Sequence, residues 1–155
     1  MATNIFVSFD HVDAQQVNGF KLLKNNPKYP LDFRDHSLRE PVKDRSGRPI
    51  TYPPSDPCSK PVRDEIEDKF ANASKLIVLI GSNTAGSEWV SWEVKTFFDL
   101  KKKLSGDKTW KRLRGMKLKG HENAEIPSIL FDRSTKVMDW DPEELDQWIG
   151  LDPDS

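Results

Sequence analysis

The sequence is poor in cysteine and in long apolar runs, and each absence excludes a class of protein. Cys58 is the single cysteine among 155 residues, so an internal disulfide and a cysteine zinc cluster are both excluded. The longest purely aliphatic run covers residues 76–80, far short of the roughly 20 residues that cross a bilayer. The first residues also lack the basic segment and apolar stretch of a signal peptide. We therefore expect a cytoplasmic protein without a membrane partner.

Histidine is scarce as well. The three histidines, His11, His36 and His121, share no spacing typical of metal ligands. The sequence therefore predicts no metal site.

The net charge of −1, from 24 basic and 25 acidic side chains, hides an uneven distribution. Residues 95–120 hold ten Lys or Arg, whereas residues 121–155 hold ten Asp or Glu. The acidic segment cancels much of the long-range field of the basic one. We therefore expect no nucleic-acid partner, and we expect the basic stretch at 101–119 to serve solubility or protein assembly.

Length and composition predict a single domain over residues 1–155. With 35% apolar residues and a mean hydropathy of −0.70, the chain is long enough for one core and too short for two full domains. Eight of the eleven prolines lie between Pro27 and Pro61, which predicts a Pro-rich loop at about residues 35–61. Loops of this length often cover binding sites, so we expect a mobile lid here; a simply disordered segment is the alternative.

The spacing of apolar residues predicts alternating strands and helices. Residues 5–9 and 76–80 have the pattern of strands buried on both faces, and weaker strand patterns follow at 31–34, 115–118 and 136–140. Between the strands, apolar residues recur at helical spacing; they are Val17, Phe20, Val62, Ile66, Phe70, Ala73, Val90, Val94, Phe97 and Leu104. Such alternation requires a parallel sheet covered on both faces. We predict an α/β fold with a flavodoxin-like, doubly wound parallel sheet of about five strands.

The last helix has the clearest boundaries. Asp141 stands where a capping residue is needed, Pro142 suits the first helical position and Gly150 ends the apolar pattern. The sequence therefore predicts a helix directly after the fifth strand.

Ligands of doubly wound sheets bind beyond the carboxyl ends of the strands, and the turn at residues 81–87 follows the strongest strand. This turn lacks the Lys and Ser/Thr of a phosphate-binding P-loop. Glu93 follows in the next helix, close to Trp89 and on the flank of the stripe that includes Val90 and Val94. A carboxylate is costly to bury there unless a charged or hydrogen-bonding group meets it, as ligand-directed carboxylates require. A helix glutamate that pairs with Lys or Arg, or reaches water, is the competing interpretation.

Three segments carry a family resemblance: VLIGSNTAGSEWVSWEV at residues 78–94, FVSFDHVD at 6–13 and DHSLREP at 35–41. Together they resemble the TIR-like proteins of the Thoeris anti-phage defence system, the ThsB-type family. The resemblance covers about residues 5–104 and implies a TIR fold, in agreement with the flavodoxin-like prediction. A Pro-rich insertion at about 45–61 and the basic residues of 104–114 depart from the family pattern.

The resemblance also implies an activity. Such proteins cleave NAD at the nicotinamide glycosidic bond and transfer the ADP-ribosyl group to a hydroxyl of the same molecule. The product, a cyclic ADP-ribose type signal, activates a separate effector protein; NAD is the substrate, no cofactor is implied, and a homo-oligomer is left open. Glu93 matches the catalytic glutamate of the family. The implied substrate-binding residues are Ser8, Phe9, Asp10, Asp35, Ser37 and Trp89.

Two other functions fit the same residues. A nucleoside deoxyribosyltransferase-like enzyme would use a similar sheet, with the glutamate as a covalent nucleophile on nucleosides. A non-catalytic TIR-like adaptor would assemble with partners and turn over no nucleotide.

Overall fold

The computed structural model describes residues 3–22, 33–35, 43, 45–48 and 51–153. Strands and helices alternate along these residues, and short 3₁₀ turns join several of them. The strands are β1 (Thr3–Ser8), β2 (Phe33–Asp35), β3 (Lys75–Ile80), β4 (Leu113–Lys117) and β5 (Lys136–Met138). The helices are α1 (Ala14–Leu22), α2 (Lys60–Asn72), α3 (Glu88–Ser105), α4 (Ser128–Asp132) and α5 (Pro142–Gly150).

The five strands form one parallel sheet in the order β2-β1-β3-β4-β5. In the register of the central pair, Ser8 of β1 lies opposite Val78 of β3. Every residue of β3 is buried, because this strand is central and both faces of the sheet are covered. The predicted flavodoxin-like, doubly wound parallel sheet is therefore confirmed.

Each face of the sheet has its own core. On one face α1 and α5 pack against alternate strand residues, among them Val7 and Leu79. On the other face α2, α3 and α4 pack against the intervening residues, such as Phe6 and Val78. Because side chains alternate along a strand, Ser8 lies on the same face as Phe6 and therefore faces α3. This alternation brings the end of β1 to the helix that carries Glu93.

The ends of α3 and α5 follow from capping residues. The Ser87 hydroxyl accepts from the backbone N–H of Val90 at the start of α3. The Asp141 carboxylate accepts from the N–H of Glu144 at the start of α5, in the position that the sequence predicts. The last helix runs from Pro142 to Gly150, as predicted.

Several details of the prediction are wrong. Strand β1 ends at Ser8 and not at residue 9, and β5 ends at Met138 and not at residue 140. Leu104, assigned to the apolar face of α3, lies in the last turn of that helix and is 71% exposed. Strand β4 begins at Leu113, two residues before its predicted start, where Arg114 interrupts the apolar pattern.

The predicted lid at residues 35–61 lies partly outside the described residues, and its last two residues belong to α2.

Buried cations bind helix carbonyls at the amino edge of the sheet. Lys75, the first residue of β3, donates through Nζ to the carbonyls of Trp148, Ile149 and Leu151 at the end of α5. Burial lowers the pKa of Lys75 to about 8, and the charge of Arg114 adds to the effect. Positive charge is favourable at a helix C-terminus, where carbonyls lack partners. This lysine therefore fixes α5 to the sheet.

Lys101 makes a similar contact on the other face. Its Nζ, carried by α3, lies 2.8 Å from the carbonyl oxygen of Phe70 near the end of α2. Arg112 extends this set of contacts by donating through Nη1 to the carbonyl of Ser74, at 3.0 Å. Three buried cations thus lie at the amino edge of the sheet, at the end opposite to the predicted site.

Candidate active site at the carboxyl edge of the sheet

The chain changes direction between β1 and β3. After β1 it passes through α1 to the outer strand β2, and after β3 it passes through α3 to β4 on the other side. Connections that diverge in this way leave a crevice at the carboxyl ends of the two strands, where ligands of doubly wound sheets bind. Of the predicted site residues that the structure describes, Ser8, Phe9 and Asp10 lie at the end of β1 or just after it, Asp35 ends β2, and Trp89 and Glu93 lie in the first turns of α3.

Glu93 is buried in α3, with 8% of its surface exposed. It lies in the buried stripe of this helix, next to Val94 and three residues after Val90. Its Oε1 accepts a hydrogen bond of 2.9 Å from the hydroxyl of Ser8, at the end of β1. A contact between residues 85 positions apart in the sequence thus joins the first strand to α3 at the crevice.

The carboxyl group of Glu93 has an unusual electrostatic environment. Burial raises its pKa from 4.5 to about 8, although the hydrogen bond from Ser8 acts in the opposite direction. None of the residues that the structure describes forms an ion pair with it. Among the described residues, Glu93 therefore lacks the cationic partner of an ordinary helix glutamate, and little of it reaches water. A buried carboxyl group with a raised pKa at a crevice has the properties of a functional acid.

Trp89 lies one helical turn before Glu93, on the same face of α3. Its indole Nε1 donates to the carbonyl oxygen of Tyr52 at 3.1 Å, and its ring packs edge-on against Trp92 with 5.6 Å between the ring centroids. The side chain is half-buried. Because helix side chains tilt towards the N-terminus, Trp89 lies nearer than Glu93 to the rim of the crevice.

The other predicted substrate-binding residues are not all in one place. Phe9 packs against the core under α1 and α5, on the face opposite to Glu93. The Asp10 carboxylate accepts from the N–H of Val12 at 3.0 Å, within its own turn. The backbone of Asp35 pairs with Ile5, three residues before Ser8 on β1. Nothing is described of the Asp35 side chain, and Ser37 lies outside the described residues.

A second buried acid, Asp13, lies at the same edge and was not predicted as a site residue. Its Oδ2 is buried without a hydrogen-bond partner among the described residues. Burial raises its pKa, the charge of His121 lowers it in part, and Asp10 adds a small increase. A methyl group on Gly81 would overlap the Asp13 carboxylate. The sequence spacing indicated that Asp13 could be buried. Asp13 lies four residues before the apolar Val17, the spacing at which two residues share a helix face.

The turn at residues 81–87 satisfies some of its own donors. The N–H of Gly81 donates to the Thr84 hydroxyl at 2.8 Å, and the N–H of Val90 is bound by Ser87. These two N–H groups are therefore engaged within the turn, and the turn serves to position α3 and its Glu93.

The described residues contain neither a metal-binding cluster nor a membrane-spanning helix. No group of three or more His, Cys, Asp or Glu residues in this part of the chain could hold a metal ion. Nor is any helix of these residues long and apolar enough to cross a membrane.

Comparisons with known proteins place these residues in context. The family model for the TIR-like domain of the Thoeris protein ThsB matches residues 6–113, which include Ser8, Trp89 and Glu93. Among solved structures, the TIR domains of the activated Roq1 resistosome that directly recognizes the pathogen effector XopQ are similar, with a TM-score of 0.46 and 14% identity. That similarity covers 75% of this chain and 57% of the other chain. No curated protein matches the chain.

Proposed function

This chain belongs to the ThsB family of TIR-like domains, and from that premise we propose that it is an enzyme that cleaves NAD at the nicotinamide–ribose bond. Glu93 is the proposed catalytic residue. The ADP-ribosyl group passes to a hydroxyl of the same molecule, and the cyclic ADP-ribose type product carries the signal to a separate effector protein. In this proposal the enzyme acts in the cytoplasm and needs no metal, cofactor or nucleic acid.

The observation that supports the proposal best is the burial of Glu93 next to Ser8 without a cationic partner among the described residues. A structural glutamate is expected to pair with a cation or to reach water, because an isolated buried carboxylate is destabilising. NAD supplies the missing positive charge, since its nicotinamide ring is a pyridinium. The site is therefore complementary to a cationic substrate.

The proposed chemistry needs no general acid. The bond between ribose C1′ and the pyridinium nitrogen breaks, its electron pair stays on the nitrogen, and nicotinamide leaves as a neutral molecule. The positive charge that develops on C1′ is stabilised by the Glu93 carboxylate, in the electrostatic role that fixed carboxylates have in glycoside cleavage. A hydroxyl of the same molecule then bonds to C1′ and loses its proton, which the carboxylate can accept.

Glu93 must be ionised for this role, whereas its pKa of about 8 in the free protein favours the neutral acid at neutral pH. An opposite charge within about 4–6 Å lowers the pKa of a carboxyl group. Binding of the pyridinium therefore promotes ionisation of Glu93 where the negative charge is needed. Trp89, at the rim of the crevice, packs on a substrate ring and helps to exclude water, which favours an internal hydroxyl over hydrolysis.

The remaining predicted contacts belong to the same proposal. In this proposal, residues at or just after the ends of β1 and β2 contact the substrate, and the protein assembles into a homo-oligomer. The residues concerned are Ser8, Phe9, Asp10, Asp35 and Ser37.

The test compares the wild type with Glu93→Gln and with a matched control, Glu88→Gln. Glu88 lies on the same helix but is exposed. Each protein is incubated with NAD, and nicotinamide and the nucleotide products are measured by mass spectrometry. We expect Glu93→Gln to lose on the order of 100-fold or more in turnover and Glu88→Gln to retain it.

Three outcomes would contradict the proposal. Equal turnover in Glu93→Gln and the wild type would remove Glu93 from the mechanism. Turnover of deoxynucleosides but not NAD, offered side by side, would favour the deoxyribosyltransferase-like enzyme. No turnover by the wild type together with partner-dependent assembly would favour the adaptor.

A further inference from the structure

The segment at residues 51–59, which precedes α2, is held in place by hydrogen bonds from side chains. The Ser59 hydroxyl donates to the carbonyl of Pro53 at 2.7 Å. The Arg63 guanidinium, one turn into α2, donates to the carbonyl of Pro54 at 2.5 Å. These contacts fix the segment to the start of α2.

Tyr52 is the part of this segment that meets α3. Its carbonyl oxygen accepts from Trp89 Nε1 at 3.1 Å and from the Ser59 hydroxyl at 3.2 Å. Its side chain, in contrast, is largely open to solvent, since the residue is 52% exposed. The structure therefore fixes the backbone of Tyr52 beside Trp89 and leaves an aromatic side chain accessible.

The position of Tyr52 relative to Glu93 determines which part of a substrate Tyr52 can contact. Trp89 and Glu93 are four residues apart on α3, a rise of about 6 Å, and the carbonyl of Tyr52 is hydrogen-bonded to the indole of Trp89. A ring that is bonded directly to the reacting carbon would lie next to Glu93. A ring that stacks on Tyr52 lies beside Trp89, one helical turn from Glu93, where the second ring of a dinucleotide can be placed.

We propose that Tyr52 is a substrate-binding residue that stacks on the adenine ring of the dinucleotide, an inference that rests on the proposed function for the identity of the ligand. Aromatic side chains stack on nucleobases because both present a flat apolar face. The fixed backbone reduces the conformational entropy that binding would cost. Tyr52 thus favours a dinucleotide over a mononucleotide at a distance from the bond that breaks.

The experiment measures binding separately from turnover. Calorimetry gives the Kd of NAD and of nicotinamide mononucleotide, which lacks the adenosine half, for the Glu93→Gln protein. The same two ligands are titrated into Glu93→Gln combined with Tyr52→Leu, with Tyr52→Phe, or with Trp110→Leu. Trp110 is also exposed, but it lies in the turn between α3 and β4. The hydrogen bonds from Ser59 and Trp89 both use the backbone carbonyl of Tyr52, so these variants keep them.

We expect Tyr52→Leu to raise the Kd for NAD about 10-fold, within the range of base–aromatic stacking, and to leave the Kd for the mononucleotide unchanged. Tyr52→Phe keeps the ring and Trp110→Leu lies elsewhere, so both should bind NAD like the parent protein. An unchanged Kd for NAD in Tyr52→Leu, an equal loss for both ligands, or no binding of NAD to any of the proteins would overturn the inference. Binding of NAD that depends on Tyr52, without NAD cleavage by the wild-type protein, would refute the proposed function alone.

Discussion

Replacing Glu93 with Gln should change the pH dependence of stability as well as turnover. The folded protein holds Glu93 at a pKa of about 8, against 4.5 for an ordinary glutamate. Between these two pH values the folded state retains a proton that the unfolded state has lost. Stability from this group is therefore fully present below pH 4.5 and is lost as the pH rises towards 8.

The magnitude follows from the two pKa values. Their difference is about 3.5, and at 1.36 kcal/mol for each pKa unit the ionised carboxylate destabilises the folded state by on the order of 5 kcal/mol. Gln resembles the protonated acid in volume, and its carbonyl oxygen can still accept the hydrogen bond from Ser8. We therefore expect nearly equal stabilities at pH 5 and a variant that is more stable than the wild type, by up to several kcal/mol, at pH 9.

The assay is urea unfolding of both proteins at intervals from pH 5 to 9, with the free energy of unfolding extrapolated to water. The contributions of other titrating groups, Lys75 among them, are common to both proteins and cancel in the difference. A difference between the two free energies that does not change with pH would refute the reasoning, because it would mean that Glu93 ionises with an ordinary pKa in the folded protein.

Two further predictions concern the neighbours of this residue. Ser8→Ala removes the hydrogen bond that lowers the pKa of Glu93. Because the proposed reaction needs the ionised acid, the rising limb of the pH profile of kcat/KM should lie at higher pH in the variant than in the wild type. Coincident profiles would disprove the coupling. Gly81→Ala places a methyl group against the Asp13 carboxylate and should cost about 1–3 kcal/mol, as overpacking does. Adding Asp13→Ala should recover part of the thermal stability, and strictly additive losses in Tm would argue against the contact.

The sheet could be predicted from the sequence because local runs of apolar residues identify its central strands. The run at residues 76–80 is apolar without interruption, and in the structure it forms almost all of β3. The last helix was equally clear, since a capping Asp141 and Pro142 mark its start within a few residues. The start of strand β4 was harder to predict, because Arg112 and Arg114 interrupt the apolar pattern there. In the structure Arg112 donates to the carbonyl of Ser74, and the Arg114 guanidinium lies over the ring of Trp148.

The site could be predicted only in part, because it is formed by contacts between distant residues that local sequence patterns do not reveal. Helical spacing placed Glu93 near the buried stripe of α3, and the family resemblance gave it a role. Its hydrogen bond to Ser8 spans 85 positions, and the contact between Trp89 and Tyr52 spans 37. Both depend on which strand and loop the fold brings next to α3. Asp13 was overlooked for a different reason, because a single acid ahead of a helix is normally interpreted as an exposed capping or first-turn residue.

The buried lysines at the amino edge of the sheet give the molecule a polarity that its net charge of −1 does not reveal. Lys75 and Lys101 donate hydrogen bonds to backbone carbonyls at one end of the strands, and the buried acids Asp13 and Glu93 lie at the other end. The lysine end holds helices to the sheet, whereas the proposed function assigns the chemistry to the acid end. In a library of single substitutions scored for both cellular abundance and nucleotide turnover, we expect changes at the lysine end to lower abundance, and changes at the acid end to alter turnover per molecule in addition to any effect on stability. New substrate preferences could then evolve at one end while the other preserves the fold.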